Sequence, residues 1–182
     1  MDENLHRAIH EHIVLVPYEE TWPAQFLREK ERLLHLCPGE ILGVEHFGST
    51  AVPGMPAKPV IDILAGIRSI DDADALLERL VRHGYITSRE FNAMLRDRKW
   101  LMRAENGRRT HHLHLVELGS EQWHDRLRFR DLLRRSPQLA RSYAELKDRL
   151  AAQHPVDREA YTEAKTAFVV AALGGQNSPA PG

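Results

Sequence analysis

The sequence predicts an α/β chain of the mixed, α+β kind, a mixed β-sheet flanked by helices and followed by an all-helical C-terminal module. Three observations predict it. Residues 41–47 (ILGVEHF) and 60–67 (VIDILAGI) are apolar and rich in β-branched side chains, the second with a single polar interruption, as in strands buried on both faces. Residues 99–118 read as two strands around Asn106-Gly107, a pair that tolerates the positive φ of a tight hairpin turn. Beyond Ser120 the apolar spacing changes to the helical period and keeps it to residue 173.

The remaining elements follow in chain order. Residues 1–12 are polar and are expected to be flexible, and residues 13–18 (IVLVPY) make a short strand ended by Pro17. Thr21 is the expected N-cap of a helix to about Leu36, with Pro23 in its first turn and Trp22, Phe26, Leu33 and Leu34 as its apolar stripe. Pro53, Gly54, Pro56 and Pro59 make residues 50–59 an ordered, stiff loop, neither helix nor central strand. Ser69 or Asp71 should cap a helix running through Leu76 and Leu80 to Gly84. In the C-terminal module, residues 120–173, helices are expected over 120–135, 136–153 and 157–173. Residues 13–173 are expected to form one domain, and 174–182 (GGQNSPAPG) a disordered, linker-like tail.

Composition narrows the function classes. With 25 basic against 26 acidic residues the net charge is -1, which argues against a general affinity for nucleic acid. No apolar run approaches the ~18 residues of a membrane span, the amino terminus carries no apolar signal core, and a lone cysteine forms no internal disulfide. A cytoplasmic protein without membrane association is the expectation.

The chemistry concentrates between Glu45 and Asp62. Gly48 breaks the preceding strand and lets a phosphate come close, with the hydroxyls of Ser49 and Thr50 held at the strand end and Lys58 as the fixed cation of the loop. Asp62 interrupts an apolar strand, and a carboxylate buried there needs pairing or a metal. A glycine-serine turn followed by an inward acid on the neighbouring strand is the arrangement by which nucleotidyltransferases hold a triphosphate and its metal. On the strand after the hairpin turn, alternation puts His112 and His114 on one face and His111 on the other, so the same-face pair can share an ion. Arg108 and Arg109 stand where they could reach phosphate oxygens, and His46 or Glu45 could polarise an acceptor. Trp22 and Phe26 are read as core, and the arginines of residues 126–135 as solvated helix surface.

The run HFGSTAVPGMPAKPVIDI resembles the hallmark of the GrpB family, and the likeness extends from about residue 13 to 169. VPYEETWPAQFLREKERL, with Tyr18, Trp22, Phe26 and Glu29, looks like the family's opening, and RTHHLHLVE, WHDRLRFRDLLR and YTEAK like later family blocks; Tyr143, Lys147, Tyr161 and Lys165 also carry the resemblance, which leaves them either facing the cleft or packing. The resemblance implies a nucleotidyltransferase-like, polymerase-β-type sheet, in a family whose members also occur fused to dephospho-CoA kinases. It further implies that the histidine strand lies beside the Asp62 strand, so that His112 or His114 completes a metal site with Asp62. Mixed nitrogen and oxygen donors suit Zn²⁺ or Mn²⁺ better than Mg²⁺. One position departs from the superfamily pattern, since the place of a second acid two residues after Asp62 is Leu64. The expected ligand is a nucleotide or other phosphorylated small molecule with a divalent metal, and the expected reaction nucleotidyl transfer. A catalytically weak module that binds a nucleotide or coenzyme-A precursor, or a metal-dependent hydrolase, are the alternatives.

Overall fold

The most apolar strand takes a central place in the sheet, because only there are both of its faces covered. The computed structural model describes residues 12–174, and in it β1 (Gly43–Phe47), β2 (Ile61–Ile67), β3 (Lys99–Glu105) and β4 (Arg108–Glu117) form one sheet in the order β1-β2-β4-β3. β1 runs antiparallel to β2, β2 parallel to β4, and β4 antiparallel to β3. The mixed sheet expected from the sequence is the sheet observed. The expectations for residues 1–11 and 175–182 lie outside the described residues.

Pleating sorts the side chains. Ile61, Ile63, Ala65 and Ile67 of β2, with Leu113 and Leu115 of β4 and Leu101 of β3, face α1 (Trp22–Leu36), whose Trp22, Phe26 and Leu33 close the main core. Burying each large apolar side chain contributes about 1.5–3 kcal/mol relative to exposure, so this layer dominates the stability of the sheet. The opposite face is covered by α4 (Glu121–Arg135), where Trp123 and Leu127 pack on Phe47, Leu64 and Val116. Gly43 and Gly66, register partners, make room there: a Cβ on Gly43 would come within 3.1 Å of the Trp123 ring and one on Gly66 within 2.6 Å of the Leu118 side chain. The hairpin turn has Asn106 at φ 52° and Gly107 at φ 73°, both in the left-handed region as the Asn-Gly pair predicts.

The capping signals of the C-terminal module hold well. Ser120, Ser136 and Asp157 accept from the amides of Trp123, Leu139 and Ala160, starting α4, α5 (Pro137–Gln153) and α6 (Arg158–Ala164). Elsewhere the structure corrects the sequence reading. Residues 13–18 contribute one isolated bridge, Val16 with Ala57, since Pro17 has no amide to extend a ladder. Thr21 precedes α1 without capping it and instead accepts from Gln25 Nε2, while Leu34 is exposed. α2 (Asp74–Arg82) begins later than Ser69 or Asp71, because Ser69 Oγ is engaged by the Asp71 amide in a turn. Ser49–Ala51 forms a turn of 3-10 helix within the stretch expected to be free of helix. A short α3 (Arg89–Met94), capped by Ser88, was not expected; its buried Asn92 accepts from the Trp100 amide and donates to the Trp100 carbonyl, fixing the start of β3. The last expected helix is two, α6 and α7 (Thr166–Gly174), with Lys165 at the break.

A buried polar link ties α1 to the far edge of the sheet. Glu29, 4% exposed, accepts from Arg103 of β3 at 2.6 Å and from the Tyr85 hydroxyl. Glu29→Ala should cost about 3 kcal/mol of unfolding free energy, because it leaves the Arg103 charge and the Tyr85 hydroxyl without their partner. Urea denaturation measures this, and a loss of less than about 1 kcal/mol would show the link to be structurally idle.

Candidate functional site

Asp62 opens β2, opposite Phe47 of β1 and His112 of β4. Its Oδ1 stands 3.1 Å from His112 Nδ1. The Gly48 turn passes so close over the carboxylate that a Cβ on Gly48, at φ 72°, would collide with Asp62 Oδ2. Only glycine combines that backbone with that proximity. Burial by itself would push the Asp62 carboxyl up, but the hydrogen bond from His112 and the charges of His112, His114 and Lys58 outweigh it and hold the group down at about 2.

Several cations share this neighbourhood. Lys58 lies 4.9 Å and Lys165 4.3 Å from the centre of the Tyr161 ring, on opposite sides in sequence of the same aromatic support. Lys147 of α5 donates to Ser49 Oγ at 3.0 Å and to the Pro56 carbonyl. Lys58, Lys147, Lys165 and Arg126 all feel the Asp62 charge. Against this one acid, burial lowers the Lys147 ammonium to about 7 and the Arg126 guanidinium to about 10, and it lowers Lys165 as well. Positive charge is therefore held here at a cost that a bound anion would offset.

The strands deliver the histidine pair as alternation predicts. His112 meets Asp62 and has Arg109 Nη1 3.5 Å from its Nε2, while Trp100 packs beside its ring at 5.5 Å. His114 sits opposite Leu64, edge-on to Phe47 at 5.2 Å, with a buried Nδ1 that has no hydrogen-bond partner. Among the described residues no three His, Cys, Asp or Glu side chains are gathered as metal ligands. Asp62 and His112 are the pair brought together. Their separation nevertheless fits adjacent ligands on one ion, which at bonds of roughly 2.1 Å stand about 3 Å apart.

His46 and Glu45 are not brought to Asp62. His46 projects to the α1 face, stacked on Phe26 at 4.8 Å and hydrogen-bonded to Thr50 Oγ1 at 2.9 Å. Glu45 is held by Arg130 at 2.8 Å, and Arg130 also donates to the His46 carbonyl. Thr50 is thus occupied by His46, and of the small hydroxyls Ser49 is the one turned to the cationic group. Of the other acids that could take the place of the one missing at Leu64, Glu117 accepts from the Ile70 amide and Glu19 is exposed.

The arginine run of α4, expected to be solvated, is mostly structural. Arg134 donates twice to the Ala51 carbonyl at 2.9 and 2.7 Å, and Arg126 lies 5.4 Å from the Phe47 ring with a buried Nε lacking a partner. Lys147, which the resemblance left either facing the cleft or packing, reaches Ser49 in the structure. It occupies the buried stripe of α5 between Tyr143 and Leu150, and a lysine at a position where the helical period calls for an apolar residue was the available signal. Two concavities flank the site without including Asp62. One of about 320 Å³ lies among Tyr18, Phe26, His46 and Arg130, and one of about 500 Å³ between Met55, Leu133 and Ala144.

His46 also makes a pH test of this layer. Burial, reinforced by Arg134 and Arg130 and opposed by Asp62, lowers its ring from 6.5 to about 4. A depressed value means that the neutral ring contributes stability above pH 6.5, which is lost as pH falls through 4. His46→Gln should flatten the decline of stability between pH 7 and 4; equal slopes for the two proteins in urea titrations would show that His46 does not titrate with folding.

Among the described residues no helix is long and apolar enough to cross a membrane. Comparison with known proteins places these features in a lineage. The chain is 38% identical over 157 residues to UPF0157 protein YqkA of Bacillus subtilis (strain 168), a match that takes in 86% of this chain but 45% of that protein. A protein named dephospho-CoA kinase from Mycobacterium tuberculosis (strain CDC 1551 / Oshkosh) is 47% identical over 74 residues, 39% of this chain and 18% of the kinase. The crystal structure of conserved protein GrpB from Enterococcus faecalis superposes with a TM-score of 0.78 at 34% identity, covering 89% of this chain and 96% of that one. The model of the GrpB protein family matches residues 12–174, the whole of the sheet and helical module described above, and the chain belongs to that family.

Proposed function

We propose that this protein binds a nucleotide or other phosphorylated small molecule against the Gly48-Ser49 turn, with a divalent ion carried on Asp62 and His112, and that nucleotidyl transfer is its reaction. The observation that carries the reading is that Lys58, Lys165 and Arg126 all lie within the field of Asp62, with burial opposing the charge of the last two. Cations whose charge burial opposes are stabilised by an anion of more than one charge. Gly48 lets the turn lie directly on the Asp62 carboxylate, Ser49 offers a hydroxyl beside it, and Arg109 beside His112 extends the same field along β4.

The donor set suits an ion that arrives with its ligand. Asp62 and His112 supply one oxygen and one nitrogen, and phosphate oxygens would complete the coordination, as is usual for Mg²⁺ or Mn²⁺ in phosphate chemistry, with Zn²⁺ admitted by the imidazole. Bound there, the ion would neutralise developing phosphoryl charge. Leu64 in place of a second acid favours tight binding over fast turnover, since two-ion phosphoryl transfer draws on more than one carboxylate. A coenzyme-A precursor, itself a nucleotide derivative, is the second ligand to test, on the strength of the partial likeness to a protein named dephospho-CoA kinase.

Nucleoside triphosphates with Mg²⁺ or Mn²⁺ should raise the melting temperature while the matching nucleosides do not, with roughly 2.7 kcal/mol of stabilisation at a hundredfold excess over Kd. Lys165→Met should weaken that binding about tenfold, the value of one charge-assisted hydrogen bond. Pyrophosphate release that disappears in Asp62→Asn would establish the reaction. Equal shifts from nucleosides and triphosphates would sink the phosphate reading.

A further inference from the structure

Lys147 is 2% exposed, and its Nζ reaches two atoms, Ser49 Oγ at 3.0 Å and the Pro56 carbonyl oxygen. A charged ammonium placed there would have three protons and, among the described residues, no acid in hydrogen-bond contact, beneath the Tyr143 ring at 5.4 Å. A neutral amine can be held by the same two partners, with an N–H donated to the Pro56 carbonyl and the lone pair 3.0 Å from Ser49 Oγ, where it can accept the hydroxyl proton. Phosphate binding alone does not call for that second arrangement.

We propose that Ser49 is a nucleophile with Lys147 as its general base, and that the protein forms a covalent phosphoester on the Ser49 hydroxyl. In the step, Ser49 Oγ bonds to phosphorus while the bond from phosphorus to the leaving oxygen breaks. The hydroxyl proton passes to Lys147 Nζ, and the leaving group departs as the oxyanion or recovers that proton from the ammonium. The phosphorylated substrate class rests on the reading above; the dyad does not. The groups facing Lys147 favour the neutral amine. Burial acts first, Lys165 and Lys58 add to it, Asp148 and Asp62 oppose it, and the resulting value is about 7. Ser49 is half-buried, at the start of the turn that follows β1.

The test uses the whole chain and a fluorophosphonate carrying a reporter tag, in which the P–F bond breaks as phosphorus bonds to Oγ and fluoride leaves. Peptide mapping by mass spectrometry should find the label on Ser49, at a rate that rises through about pH 7, where Lys147 loses its proton, and levels off above it. Lys147→Met should slow labelling about a hundredfold while melting cooperatively, and Ser49→Ala should abolish it. No label on Ser49 at pH 8 in the wild type, a rate without an inflection near neutrality, or wild-type labelling in Lys147→Met would each overturn the dyad. The wild-type pH profile keeps the test decisive should Lys147→Met fail to fold. Labelling that persists where triphosphates give no thermal shift rejects the phosphate reading alone, and a thermal shift without labelling rejects the dyad alone.

Discussion

An acid placed in the apolar stretch of β2 sets the terms for everything around it. Asp62 is not compensated by one ion pair. It is hydrogen-bonded to His112, overlain by the Gly48 turn and set within the field of lysines from three separate parts of the chain. Burial favours the neutral acid, yet the cations prevail and keep it ionised. The cations in turn depend on Asp62, because burial works against the charges of Lys147, Lys165 and Arg126. The cluster carries more positive than negative charge, the imbalance on which the proposed binding of an anionic ligand rests.

The helical module is what supplies that excess. Trp123 seats in the notch left by Gly43 and Gly66, and Arg130 and Arg134 bind the carbonyls of His46 and Ala51. These contacts fasten α4 to β1 and to the turn after it. α5 follows and brings Lys147 to Ser49, while the break between α6 and α7 falls at Lys165 and lets that residue lie over Tyr161. An uninterrupted helix over 157–173 would carry a different set of side chains to this point. The cationic group beside Asp62 is thus completed by Lys147 and Lys165, each more than eighty positions away from the Gly48 turn.

Much was legible from local chemistry. The Asn106-Gly107 hairpin, the alternation that puts His112 and His114 on one face, the serine caps at 120 and 136 and the buried character of β2 depend on neighbours in sequence, and all appear in the structure as expected. Where a single hydroxyl had two local uses, the reading failed: Ser69 could cap a helix or close a turn, and it closes a turn. Whether a six-residue stretch such as 13–18 pairs as a strand depends on a partner the sequence does not name, and here Ala57 offers one bridge.

The candidate residues divide along the same line. Glycine at 48, an acid within an apolar strand and two imidazoles two positions apart are unusual enough locally to mark a site, because each carries a steric or solvation cost visible without the fold. What only the tertiary structure decided was which of the marked residues meet. Strand pleating sends His46 to the α1 face, Arg130 takes Glu45, and His114 stands beside Phe47, so Asp62 is left with His112. Lys147 enters the site through helix packing across the chain, a long-range contact whose energy comes from burying the apolar stripe on either side of it and whose partner no local pattern encodes.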